Sequence, residues 1–116
     1  WAQSAARKDA MTREDWARVA KEASDLEADL AAAMREGVEP GDERANALAE
    51  RHRASIDQWF DTTYSKQVLI ARGYVADPRF TAHYDRLEVG LAAWLKGIID
   101  ANAAAHGVDP GAAVWR

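Results

Sequence analysis

The sequence predicts an all-α domain of about five helices, and three observations carry that prediction. Apolar residues recur at helical spacing over two long stretches, Arg13–Glu36 and Glu43–Thr63. Helix-start and helix-stop residues bracket those stretches. No segment combines apolar–polar alternation with the β-branched enrichment of a strand. At 116 residues the chain has the length of one domain.

Trp1 to Met11 is rich in Ala, Ser and charge and weak in periodicity, so it reads as a linker or the end of a helix that starts further upstream. A chain opening on Trp1 reads as part of a longer protein. The domain proper is expected over residues 12–106. Thr12 with Asp15 three positions on resembles a capping box. From there Trp16, Val19, Ala23, Leu26, Leu30 and Met34 keep a helical period until Gly37, a natural left-handed stop. Asp42 is placed to cap a second helix over Glu43–Thr63, with Ala45, Leu48, Ala49, His52, Ile56, Trp59 or Phe60, and Thr63 inward. Ser65 is expected to cap a shorter third helix ending near Gly73. Asp77-Pro78 is a strong start for a fourth, because Asp caps and Pro suits the first helical position. A fifth runs over Val89–Ala105 with Leu91, Trp94 or Leu95, Ile98 and Asn102 inward, and Gly107 ends it. Residues 107–116 form a tail in which Val114 and Trp115 are able to dock.

Composition excludes more than it names. The chain is 48% hydrophobic and 29% charged, and no apolar run approaches the length of a membrane span. With no cysteine, disulfides and thiolate chemistry are excluded; this fits a cytoplasmic setting. A net charge of −4 argues against unaided nucleic-acid binding. The mixed run Arg44–Arg53, which includes Glu50, reads as a helix surface. His52, His83 and His106 lie too far apart for a metal-binding helical pair, Asp25, Glu27 and Asp29 read as solvent-facing, and no serine sits in a nucleophile elbow. The residues therefore favour a binding module over an enzyme and call for no cofactor.

Five tryptophans are the oddity, because Trp brings a large apolar face and a donor that needs a partner. The segment Arg51–Tyr64 (RHRASIDQWFDTTY) concentrates this character. Taken as one helix, it sets His52, Ile56, Trp59 or Phe60, and Thr63 on a single face. That face is either the middle of a core or the wall of a pocket, and residue patterns alone leave both readings open.

The run Tyr74-Val75-Ala76-Asp77-Pro78-Arg79-Phe80, followed by Tyr84, Gly90-Leu91-Ala92 and Ile98 through Ala103, resembles the TipA-S antibiotic-recognition domain of MerR-type transcription regulators. The likeness extends upstream through Thr12, Glu14-Asp15-Trp16, His52-Arg53, Ile56 and Asp61, and so covers roughly Trp1–Asn102. The SkgA type is a candidate for the closer branch. The resemblance implies a globin-like helical fold without haem, and a cleft for bulky, diverse drug or peptide-antibiotic ligands. It also implies N-terminal helices that order around the ligand. DNA binding and homodimerisation would belong to a winged helix and coiled coil upstream of this segment.

On that resemblance the expected ligand wall is Trp59, Phe60, Thr63 and Tyr64 with Leu69. His52 and Arg53 would offer donors, and Trp16, Leu30 and Met34 would form a lid. Tyr74, Phe80, Leu91, Leu95 and Ile98 are assigned to the supporting core. Members that trap thiopeptides carry cleft cysteines where this chain has Thr62 and Leu69, so binding here is expected to be reversible. A drug-sequestering protein of the same family, or a purely structural helical module, are the alternatives.

Overall fold

The computed structural model describes residues 2–116, which form six helices and no strand. They are α1 (Ala2–Asp9), α2 (Arg13–Arg35), α3 (Glu43–Asp57), α4 (Tyr64–Ala76), α5 (Pro78–Asp85) and α6 (Leu91–Ala105), followed by a 3₁₀ turn at Pro110–Ala112.

α6 is central because it is apolar on nearly every side: Leu91, Ala92, Leu95, Ile98, Ile99, Asn102 and Ala103 are all buried. Against it pack Val68, Ala71 and Tyr74 of α4, Ala45, Leu48 and Ala49 of α3, and Leu26, Leu30, Ala31 and Ala33 of α2. The buried residues of α2 thus all lie in its second half. Upstream, Trp16 is 43% exposed and nothing is buried before Leu26.

Local signals fix most boundaries. Thr12 and Asp15 form the reciprocal capping box at the start of α2. α2 and α6 end alike: Gly37 and Gly107 take positive φ, and the next residues, Val38 and Val108, donate back to Ala33 and Ala103 at 3.1 and 2.9 Å. That is the Schellman arrangement, completed by the two valines packing on the core. Asp77 caps α5, with Pro78 in its first turn.

Other expectations need correction. The first segment, read as a linker or the end of a helix, contains α1, which buries no residue. Asp42 precedes α3 in extended geometry, but its carboxylate accepts from Glu39 N–H and not from the helix. α3 stops at Asp57 and not at Thr63. α4 is capped by Thr63, two residues before Ser65, and runs on to Ala76. α6 begins at Leu91, after Gly90 in the left-handed region (φ 91°), while Asp85 accepts from the Ala92 N–H. Phe80 is 47% exposed and is not core; Ile56 is only partly buried. Glu27, expected to face solvent, holds α5 to α2 by accepting from His83 and Arg86.

A candidate ligand cleft

The cleft begins with the break in α3. After Asp57 the chain turns through Gln58–Thr63 before α4 starts. Long-range and local bonds both hold this turn. Asp57 Oδ1 accepts from Thr62 N–H at 2.8 Å, and Arg53 Nη1 donates to the Thr62 carbonyl at 3.0 Å. Thr62 is buried and its hydroxyl donates to the Phe60 carbonyl. Trp59, Phe60 and Thr63 therefore do not share a helical face with His52. Instead, the turn sends its two large rings to different partners.

Trp59 meets the N-terminal helices. Its ring stacks on Trp16 of α2, with centroids 5.5 Å apart and planes 23° apart, and Lys8 of α1 lies over it at 5.4 Å. Alongside, Arg7 donates to the Asp57 carbonyl and pairs with Asp61, and Gln3 bonds Asp61 through both backbone and side chain. Phe60 meets the C-terminal tail: Trp115 lies 6.0 Å away, and Lys66 stands over both rings.

A groove of about 390 Å³ runs between α2 and α3. It is lined by Val19, Glu22, Ala23, Asp25 and Leu26 from α2, by Arg51, Ala54 and Ser55 from α3, and by Gln58 just after it. The gap follows from residue size. Where α2 and α3 touch closely, leucines fill the space; toward the turn, Ala23, Ala54 and Ser55 face it and leave it open. Its size falls within the range of small-molecule clefts. None of these groove residues was expected at the site. The available signal was the small-residue character of α2 facing Ala54-Ser55, which periodicity alone reads as ordinary surface.

Tyr64 and Arg53 assemble a polar cluster beside the turn. Glu50 Oε1 accepts from the Tyr64 hydroxyl at 2.7 Å and from Asn102 Nδ2 at 3.0 Å, while Oε2 accepts from Arg53 at 3.1 Å. Burial works against the Glu50 charge, but these donors outweigh it and hold its carboxyl below the usual range; the same bond to Glu50 pushes the Tyr64 phenol up. The Tyr64 ring contacts His106, stacked at 4.3 Å, and the Arg53 guanidinium, at 4.5 Å. Arg53 and Tyr64 are only partly buried.

Two expected site residues are closed off. Leu30 is 1% exposed and belongs to the core. His52 is 3% exposed and bonded on both ring nitrogens. Gln67 Nε2 donates to the Ala49 carbonyl and lies 2.9 Å from His52 Nδ1, so Nδ1 accepts; Nε2 then carries the proton and donates to the Tyr74 hydroxyl at 3.0 Å. Burial pushes His52 down to about 4, which keeps it neutral. Met34 packs against the core beneath Gly90, and Leu69 is half-buried on α4. Thr63 spends its hydroxyl on capping α4 and on the Arg116 carbonyl. A second hollow, of about 410 Å³, lies among Tyr74, Arg79, Phe80, His83 and Tyr84, but its basic groups are already paired with Asp77 and Glu27. Among the described residues no helix is long and apolar enough to cross a membrane.

A family model for the TipAS antibiotic-recognition domain matches residues 1–102, including the stretch expected as linker. The HTH-type transcriptional activator TipA of Streptomyces coelicolor, and that of Streptomyces lividans, are 38% identical over 96 residues, 82% of this chain and 38% of theirs. The HTH-type transcriptional regulator SkgA of Caulobacter vibrioides is more distant, 28% identical over 93 residues, 78% of this chain and 36% of its own. The chain thus spans under two fifths of the curated relatives it matches. A solved structure of TipAS from Streptomyces lividans in complex with nosiheptide, a thiopeptide antibiotic, superimposes with a TM-score of 0.82 at 34% identity, over 93% of this chain and 76% of that one. The helical fold is therefore the globin-like one that the resemblance implied.

Proposed function

Because this chain belongs to the TipAS antibiotic-recognition domain family, we infer that it is a sensor that reversibly binds bulky drug or peptide-antibiotic ligands between α2 and α3. The observation that carries the reading is an open groove between α2 and α3, together with a Trp16–Trp59 stack whose residues lie one turn from Val19 and next to Gln58 in the groove lining. Trp16, 43% exposed, and the partly exposed Trp59 offer flat apolar surface to heterocycles at little conformational cost. A groove of about 390 Å³ accepts one ring cluster of a large ligand. A bulkier guest is accommodated by movement of α1 and the first half of α2, which bury nothing before Leu26. Ligand contacts would then supply the burial that these helices lack, so binding and ordering are coupled.

Trp16, Trp59, Phe60, Arg53 and Tyr64 are the contact residues, with Val19, Ala23, Ala54 and Ser55 as the groove wall. With no thiol in the chain, the guest is not captured by a thiolate and leaves again. The domain works by binding and not by catalysis. In the full-length protein, occupancy would be read by a MerR-type DNA-binding region, as a homodimer in the cytoplasm. Titration of tryptophan emission with nosiheptide tests the reading. A saturable change is expected; its absence with the helical fold intact would remove the pocket assignment.

A further inference from the structure

Residues 103–116 lie outside the family match, yet their last part folds back onto the turn that organises the cleft. The Ser65 hydroxyl donates to the Val114 carbonyl and accepts from the Val114 N–H; the Thr63 hydroxyl donates to the Arg116 carbonyl; Arg72 holds the Pro110 carbonyl. This strap lays Trp115 against Phe60 with centroids 6.0 Å apart and planes tilted by 41°. Lys66 completes the group, 5.9 Å from the Phe60 ring and 5.3 Å from the Trp115 ring.

We propose that Trp115 is an internal stand-in for an aromatic ring of the ligand, held over Phe60 until a guest replaces it. The proposal rests on the ligand reading given above. Three features support it. The aromatic and cationic partners of the partly exposed Phe60 ring are Trp115 of the strap and Lys66. The strap is weakly anchored, since Val114 and Trp115 are 49% and 56% exposed and its bonds lie at the surface. The group also sets a chemical filter: what replaces the indole must be a flat ring, held best under the Lys66 ammonium where its face is electron-rich. A strap that must leave lowers the apparent affinity by the fraction of time it is closed.

The test is calorimetric titration of nosiheptide into the wild-type chain and into Trp115→Ala and Ser65→Ala. Opening the strap should tighten binding by about three- to tenfold in both variants, since the competent fraction rises. Ligand should also speed hydrogen exchange at the Val114 amide. Unchanged or weaker binding in Trp115→Ala, or a Val114 amide that stays protected in the complex, would overturn the stand-in while leaving the ligand reading in place. No binding to wild type or either folded variant would remove both.

Discussion

Acidification should destabilise this domain through a single buried imidazole. His52 sits between Gln67 and Tyr74 as the neutral Nε2–H form, and burial lowers it from 6.5 to about 4. The unfolded chain takes up a proton at 6.5, whereas the folded chain refuses it until about 4. Stability is thus fully present above the unfolded value and is lost as pH falls between the two, at about 1.4 kcal/mol per pH unit. From pH 7 to pH 5 the loss is about 2 kcal/mol, and the complete effect is about 3 kcal/mol. Urea unfolding at the two pH values measures it, and comparison with His52→Gln cancels the other titrating groups. At pH 5 the carboxylates held low, among them Glu50, Asp15 and Asp61, are still charged and add little. Equal losses in wild type and variant, or an imidazole that titrates near 6.5 by NMR, would refute the neutral buried triad.

Three substitutions probe other parts of the argument. Gly90→Ala forces a side chain into φ 91° and brings its Cβ within 3.1 Å of Met34 Cε, so thermal unfolding should report a loss of about 1–2 kcal/mol. Thr12→Ala removes one half of the capping box and should cost α2 about 1 kcal/mol, seen as faster amide exchange over its first turn while the core stays protected. Trp59→Ala should cost about 1–2 kcal/mol, less than the roughly 3–5 of a fully buried Trp, but should weaken nosiheptide binding at least about tenfold. A larger stability loss with unchanged affinity would make Trp59 a structural residue.

What could be read from the chain was what local chemistry decides. The Thr12–Asp15 box, the Gly37 and Gly107 stops and Asp77-Pro78 each act within a few residues, and each stands where expected. The apolar stripe of α6 is strong enough to identify the core by itself. The errors arise where distant groups intervene. Periodicity carries α3 through to Thr63, but Arg53 and Asp57 bind Thr62 and fold the chain away at Gln58. His52 looks like a polar group on a cleft face until Gln67 and Tyr74, fifteen and twenty-two residues on, close over it. Nothing in its neighbours predicts that. The groove was missed for the opposite reason: it is made by what Ala23, Ala54 and Ser55 lack.

The tryptophans show how far binding character and structural character separate in this chain. Trp94 donates its indole N–H to the Val38 carbonyl at 2.9 Å and so fastens the loop after α2, a structural task. Trp16 and Trp59 do the converse: their closest ring partners are each other and Lys8, and removing them would leave the α6-centred core intact. None of the four described tryptophans is fully buried. The break at Gln58 is what makes the separation possible. Had α3 continued to Thr63, Trp59 and Phe60 would project from one rod; the turn instead hands one ring to the N-terminal helices and the other to the tail. The N-terminal helices and the tail therefore meet at the same turn, Gln58–Thr63, through Trp16 on one side and Trp115 on the other.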